Sequence, residues 1–433
     1  MFRTVPARFS VLPRATDQGE AARGPPEIFC QDLAVKPLRV VHLGKYYPPA
    51  SGGIENHTRT LVMGLVERGV AVDVVVVNHA TITGADVTFE RFRRTPDSRD
   101  RDGLVKIHRA GRFGCVAKLD LAPNLPRLLK RLQADTPDVW HLHAPNITMM
   151  LAVLADRRIR PLVVTHHSDI IRQRVLRHFV RPFETALYRR AARLLPTSPG
   201  YVGGSELLQR FRAKVEPLPL GIDVTPFTTP SVAALDYAET LRQRYGGPIW
   251  VTVGRLIYYK ALDVALQALK TVPGTLIVIG TGPMQAAWKA KATELGVADR
   301  VVWQGRATPD ELAGTYHAAT AHWFPSNARS EGFGLVQVEA MASGCPTINA
   351  AIPHSGVPWV CRHDHAGLTV PVNDPSAFAE AANRLRSEPD LRQRLSDQGR
   401  ADAISRFSAD VMAEHCLAIY HDVVRNLVGR YCR

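Results

Sequence analysis

The stretch PIWVTVGRLIYYKALDVALQALKTVPGTLIVIGTG, residues 248–282, decides the fold. It opens on a short apolar run that ends in Gly254. A loop with two cations follows, then LDVALQALK, whose apolar residues recur at helical spacing. It closes on TLIVIGTG (275–282), a second apolar run ending in glycine. Short continuous apolar runs that alternate with helices mark parallel strands buried on both faces. The pattern continues downstream through VVWQG (301–305), AHWFPS (321–326) and PTINA (346–350), with helical segments at Asp310–Ala318 and Gly334–Ala342 between them. It also occurs upstream. LRVVHLG (38–44) is followed by a helical pattern from Asn56 to Arg68, with Leu61 and Leu65 on its apolar face. VAVDVVVV (70–77), VWHLH (139–143) and PLVVTHH (161–167) then read as buried strands.

Two doubly wound α/β domains are therefore expected, at 37–224 and 225–407. PLPLGIDVTPFTTP (217–230), with four prolines, reads as the linker between them. Residues 1–36 lack periodicity and read as a mobile extension. Residues 408–433 read as a C-terminal helix that packs back on the first domain. Open α/β sheets bind ligands beyond the carboxyl ends of their strands, so the cleft between two such sheets is where chemistry is expected.

Composition narrows the function. Hydrophobic residues make up 45% and charged residues 22% of the 433, which excludes a disordered chain and a small disulfide scaffold. Six widely spaced cysteines form no C-x-x-C pair, so a structural zinc site is not expected and a reducing compartment fits. No apolar run is long enough to span a bilayer, and the N-terminus has no sustained apolar core of a secretory signal. The net charge of +14 points to an anionic partner. It is unevenly placed. Residues 1–230 hold 34 Lys+Arg against 21 Asp+Glu, which leaves the second half nearly neutral.

Several motifs carry candidate chemistry. In GKYYPPASGGIE (44–55), Gly52 and Gly53 precede a helix, where backbone N–H groups and the helix dipole suit a phosphate. The same glycines would serve a plain tight turn, and the loop is not a Walker A site. Histidines cluster at strand ends as His141, His143, His166 and His167. Substrate hydrogen bonding by one or two of them is expected rather than zinc. In GRLIYYK (254–260), Arg255 and Lys260 sit just before a helix, where cations are disfavoured unless an anion binds. GTGP (280–283) holds Gly282 but lacks the third glycine of a dinucleotide signature. SEGFGLVQVEA (330–340) places Glu331 in a loop and Glu339 eight residues on, in a helix predicted to begin near Gly334. Carboxylates so placed can bind sugar or ribose hydroxyls, or steady a cationic centre. An ordinary amphipathic helix with an acidic start would read the same way. RQRVLRHFVRPFETALYRRAAR (172–193) has seven arginines and one glutamate, with Leu176, Phe179, Phe183 and Leu187 at helical spacing. It reads as an amphipathic helix interrupted or kinked near Pro182, either packed on the core or lying at a membrane surface.

Taken together, these strings resemble glycosyltransferase family 4, retaining transferases with a GT-B fold of two facing Rossmann-like domains. The resemblance covers about residues 38–425. It rests on GGIE, on Glu331 through Glu339 as an E-x7-E motif, on EAMASGCPTINA (339–350) and on the Arg255–Lys260 pair. The resemblance implies that Gly52, Gly53, Gly254, Gly282, Gly332, Phe333, Gly334 and Leu335 line the donor. It implies that His167 lies beside the sugar's reactive end and that Arg255 and Lys260 neutralise the leaving diphosphate. Glu331 would lie near the transferred sugar and Glu339 would bind the ribose. Ala261 stands where the family often has glycine, and His365-Ala366-Gly367-Leu368 stands where E-T-G-L is common. Activity is expected to survive both changes.

HSDIIRQ (167–173), TSPGYVGGSELL (197–208) and SGVPWV (355–360) are similar to bacterial mannosyl- and rhamnosyltransferases of exopolysaccharide or O-antigen assembly. On that analogy the donor is GDP-mannose, the acceptor is a lipid-linked saccharide, and no cofactor or metal is required. The enzyme would then be cytoplasmic, peripheral on the inner membrane. The anionic membrane would meet Arg172, Arg174, Arg177 and Arg181 and the basic stretch RFRRTPDSRDR (91–101). A UDP-sugar donor is the alternative within this fold. A nicotinamide-dependent oxidoreductase is disfavoured by GTGP. A nucleic-acid-binding protein is suggested by charge alone and lacks a binding motif.

Overall fold

The computed structural model describes residues 37–50, 52–79, 94–116, 119–169 and 174–431, with side chains for all of these except 174–177 and 428–431. The extension 1–36 and Arg172 lie outside the described residues, as do 91–93 of the basic stretch. The side chains of Arg174 and Arg177 lie outside them too.

Among the described residues, fifteen strands run in chain order: β1 (Arg39–Leu43), β2 (Ala71–Val77), β3 (Ser98–Asp102), β4 (Val105–Ala110), β5 (Gly114–Val116), β6 (Leu119–Leu121), β7 (Val139–Ala144), β8 (Leu162–His166), β9 (Arg193–Pro196), β10 (Ile249–Val253), β11 (Thr275–Ile279), β12 (Val301–Gly305), β13 (Ala321–Phe324), β14 (Thr347–Ala350) and β15 (Gly367–Val370). They form a seven-stranded sheet, β3-β4-β2-β1-β7-β8-β9, a six-stranded sheet, β12-β11-β10-β13-β14-β15, and the hairpin β5-β6. The second sheet is parallel throughout, as its apolar runs require. This is the GT-B architecture expected from the sequence.

The first sheet departs from the expected all-parallel form. β3, with the sequence SRDRD, pairs antiparallel with β4 through a turn at Gly103. All five residues are charged or polar and four are exposed, so no apolar pattern announces the strand. An edge position explains the composition, because charges there block pairing with other chains. The last four residues of the basic stretch 91–101 are thus edge strand rather than loop. The arginine-rich helix is not interrupted at Pro182, running from Arg174 to Arg190 with that proline inside it.

The C-terminal helix Ala409–Tyr431 packs on the first sheet's side of the molecule. Met412, Cys416, Ile419 and Tyr420 join Leu61, Leu65, Val72 and Val74 in one apolar cluster. Gly64 makes the approach possible, since a Cβ there would lie 2.8 Å from the Cβ of Ala413. The linker is clamped against the start of this helix, with Ile222 N donating to Phe407 O at 3.0 Å and Ala409 N to Ile222 O at 2.7 Å. In the second sheet, the buried Trp250 and Trp323 rings stack with centroids 5.1 Å apart. Among the described residues, no helix is long and apolar enough to cross a membrane.

Candidate active site

The second domain contributes loops at the carboxyl ends of β10, β11 and β13. After β10 the chain turns at Gly254 (φ +139°), forms a short 3-10 turn at Tyr258–Lys260, and enters the helix Leu262–Ala268 through Ala261 in the left-handed region (φ +45°). The expected glycine at 261 is therefore replaced by an alanine that adopts the conformation glycine favours. This turn carries Lys260 inward. Its Nζ lies 2.6 Å from Glu331 Oε2 and 4.6 Å from the centre of the Phe324 ring. Both charged side chains are largely covered, at 16% and 12% exposure, so the pair is weakly screened. Arg255 is exposed and has no ion pair among the described residues.

Glu331 sits in the loop before the helix Leu335–Ala342, as the sequence implied. Ser326 Oγ donates to its carboxylate at 3.3 Å and Ser355 Oγ to its carbonyl at 2.5 Å. Gly334 (φ +76°) leads into the helix N-terminus, and Phe333 is buried behind it. Glu339 follows inside the helix, where it accepts a hydrogen bond from Tyr316 at 3.2 Å. Burial pushes its carboxyl up to about 7, against the opposing Tyr316 bond and Lys260 charge. A carboxyl raised in this way stabilises the fold below its unfolded pKa and loses that contribution as pH rises towards 7.

Gly282 has a structural duty. A Cβ there would lie 2.3 Å from Leu256 O, so this glycine lets two loop backbones touch.

The first domain faces these loops across the cleft. Gly52 and Gly53 begin the helix Gly53–Glu67, and nothing lies within 4 Å of a Cβ built on Gly53. Glu55 in the first turn has its carboxyl raised by burial. One turn on, His57 packs edge-on against His167, with ring centroids 5.0 Å apart. The backbone carbonyl of His167 would lie 3.3 Å from a Cβ on Gly332, which places the ends of β8 and the Glu331 loop side by side. The candidate residues from GGIE, HHSD, GRLIYYK and SEGFG thus converge on one cleft.

An ion pair spans that cleft. Arg329 Nη2 meets Asp169 Oδ2 at 2.6 Å, Arg329 Nε donates to His354 O at 3.1 Å, and the guanidinium lies 4.3 Å from the Tyr201 ring centre. Burial would raise Asp169, but His166, Ser205 and Arg329 together hold it down to about 2. The contact is therefore fully present above the ordinary carboxylate range and lost only as pH falls towards 2. Sequence reading missed this pair. Asp169 sits in the quoted HSDIIRQ and Arg329 just before the quoted SEGFGLVQVEA, but nothing local links them.

The histidines form a buried chain. Tyr420 OH meets His141 Nδ1 at 2.5 Å and His42 Nε2 at 3.2 Å. His42 Nδ1 meets His143 Nε2 at 3.1 Å, and His143 Nδ1 meets His167 Nε2 at 3.1 Å. Burial lowers all of them, His42 to about 3 and His57 to about 4, so His167 faces the cleft as a neutral imidazole. The trios His42-His141-His143 and His57-His143-His167 each gather three ring nitrogens within 4.8 Å, enough to consider a metal ion. Most of those nitrogens share protons with one another or with Tyr420, so a cation would have to displace that chain. His57 is the exception, with both nitrogens buried and unpartnered among the described residues. His141 and His166 are held within the protein, by Thr165 at 2.6 Å and Tyr188 at 2.6 Å respectively.

Comparison with known proteins agrees with this geometry. Residues 52–221 match the family model of the glycosyl transferase 4-like domain, and residues 238–402 match that of glycosyl transferases group 1. The chain is 30% identical to D-rhamnosyltransferase WbpZ of Pseudomonas aeruginosa over 70% of its own length and 78% of that protein. It is 27% identical to O-antigen chain mannosyltransferase C of Escherichia coli over 88% of its own length and 98% of that protein. In fold it is similar to sucrose-phosphate synthase from Thermosynechococcus elongatus, with a TM-score of 0.71 at 22% identity, covering 90% of this chain and all of that one.

Proposed function

Because this chain belongs to the glycosyltransferases of GT-B fold, we propose that it moves a hexose, mannose from GDP-mannose, to a hydroxyl of a lipid-linked saccharide with retention of anomeric configuration. The observation that carries this reading is the Lys260–Glu331 pair, held at a helix N-terminus and facing His167 across the cleft. The bond from the anomeric carbon to the β-phosphate oxygen breaks, and its electron pair leaves with the diphosphate. The acceptor oxygen attacks the same face and its proton passes to a leaving phosphate oxygen. Charge grows on that phosphate, and fixed cations lower its energy without reorganising. Lys260 has three donors, so it can keep Glu331 while binding phosphate, and Arg255 is free to close from the rim. These cations and the N-terminus of Leu335–Ala342 supply the role a divalent metal would otherwise fill. The relatives named for mannosyl and rhamnosyl transfer favour GDP-mannose over a UDP-sugar.

The acceptor side rests on the first domain. Phe179 and Phe183 of the helix Arg174–Arg190 are 72% and 46% exposed, which suits the surface of an anionic inner membrane. Arg181 pairs with Glu206 at 3.0 Å and so lends less charge to that surface than the sequence suggested.

Two measurements test the donor. A panel of nucleotide sugars screened by thermal stabilisation should shift the melting temperature most with GDP-mannose. A shift with UDP-glucose and none with GDP-mannose would overturn the donor assignment. If Glu339 accepts from the ribose hydroxyls, GDP should bind more tightly as pH rises from 6 to 8 and the carboxyl ionises around 7. Glu339→Gln should flatten that dependence, and an unchanged slope would remove Glu339 from the nucleotide site.

A further inference from the structure

At the edge of its sheet, the first domain carries a groove of about 420 Å³ between the edge pair β3–β4 and the helix Leu125–Gln133. Arg99, Arg127 and Arg131 line it. All three are exposed, and none has an ion pair or side-chain hydrogen bond among the described residues. The carboxylate in the groove, Asp97, is already committed, accepting from Gly111 N at 2.6 Å and from Asn124 Nδ2 at 3.1 Å. Arg109 behind it is balanced by Asp100 at 3.1 Å and by the carbonyls of Tyr47 and Pro48. Among the described residues, three guanidinium groups without ion pairs therefore share one open space with a single carboxylate, Asp97, which leaves the lining net positive. Arg127 and Arg131 also stand four residues apart on one helix, a like-charge spacing that costs helix stability. The last turn of the helix favours a cation at Arg131, and an anion between the two would offset their mutual repulsion.

The rim is apolar. Phe113 and Leu121 flank the hairpin β5-β6, joined by a 2.7 Å backbone hydrogen bond, and are 45% and 39% exposed. Arg94 lies over the Phe113 ring at 4.3 Å. A cationic groove with exposed apolar side chains on the neighbouring hairpin suits an amphiphilic phosphate rather than a free one. Position agrees. Arg109 and His108 lie near the carboxyl end of β4, the same end of the sheet at which β8 delivers His167. Four strand spacings separate β4 from β8, about 19 Å at ordinary sheet geometry.

We propose that this groove binds the diphosphate of the lipid-linked acceptor, while the saccharide runs along the strand ends to the transfer site. This rests on the lipid-linked acceptor inferred above and adds where its charged group sits. The distance requires several sugar units between diphosphate and accepting hydroxyl, so short acceptors should be poor ones. Guanidinium forks match phosphate oxygens bidentately, and the groove offers three.

The test uses the full chain with saturating GDP, so that the donor site is filled. Farnesyl diphosphate is the probe, and the variant is Arg127→Ala with Arg131→Ala. Binding should weaken at least tenfold, with GDP affinity and melting temperature unchanged. Equal binding by the variant would overturn the proposal. Inorganic pyrophosphate should bind more weakly than farnesyl diphosphate, and equal affinity would assign the groove to free phosphates. Phosphatidylglycerol vesicles without diphosphate should bind wild type and variant alike. A loss confined to those vesicles would mark general surface charge and overturn the site. Failure of wild type to bind GDP-mannose would sink the donor reading alone, since the farnesyl diphosphate result stands apart from it.

Discussion

Lys260→Ala is expected to lower kcat by about 10²–10³-fold while the protein stays folded. The size follows from the position. The ammonium is largely covered, sits over the Phe324 ring and is fixed by Glu331 at 2.6 Å, so its charge acts through a weakly screened path. Without it, Glu331 becomes an uncompensated negative charge beside an incoming diphosphate. Affinity for the nucleotide should fall as well, but the larger loss should be in turnover, because the phosphate gains charge as the sugar departs. Circular dichroism and thermal melting establish the fold, and initial rates with GDP-mannose establish the loss. A variant with wild-type kcat would remove Lys260 from the reaction.

Gly280→Ala is expected to cost about 3–5 kcal/mol of stability, among the largest effects a single methyl can have. The residue has φ +131°, and its Cβ would lie 2.0 Å from the carbonyl oxygen of Gly254. Its own N–H donates to Gly305 O at 2.6 Å. Three strand ends thus meet backbone to backbone, and no flexible side chain can yield. Gly254 in turn lies against Lys260, since a Cβ there would come within 3.2 Å of Nζ, so displacement reaches the active site. Gly53→Ala is the contrast. With open space around its Cβ it should change stability by less than about 1 kcal/mol, and any loss of donor binding would then be attributable to the ligand. Denaturant unfolding of the two variants decides the matter. Equal stabilities would mean that the strand ends are not packed as described.

Much of this was legible in the sequence for a physical reason. Strands buried on both faces must be apolar along their length, so β1, β2, β7, β8 and β10 to β14 appear as runs such as VDVVVV and TLIVI, while the short β15 was not read from the sequence. Glycines at strand ends and the spacing of Glu331 and Glu339 located the loops. What else escaped was either exposed or non-local. β3 is a charged edge strand with no apolar signal. Arg127 and Arg131 carry no motif, and only the fold sets them opposite Arg99. Asp169 and Arg329 belong to different domains, and Tyr420 reaches His42 and His141 from the far end of the chain. Gly282, read as a donor contact, has a packing duty against Leu256 that spacing alone does not reveal. Composition shows which charges exist, but only folding shows which of them are neutralised.

The central claim is retaining transfer from a nucleotide sugar at the Lys260–Glu331 cleft, with fixed cations in place of a metal. Its most direct test is NMR of the sugar released or transferred from GDP-mannose in the first turnovers, with EDTA present. The account expects product of the same anomeric configuration as the donor, formed at an undiminished rate and abolished by Lys260→Ala. An inverted anomer, or activity lost in EDTA and restored by Mn²⁺, would contradict it.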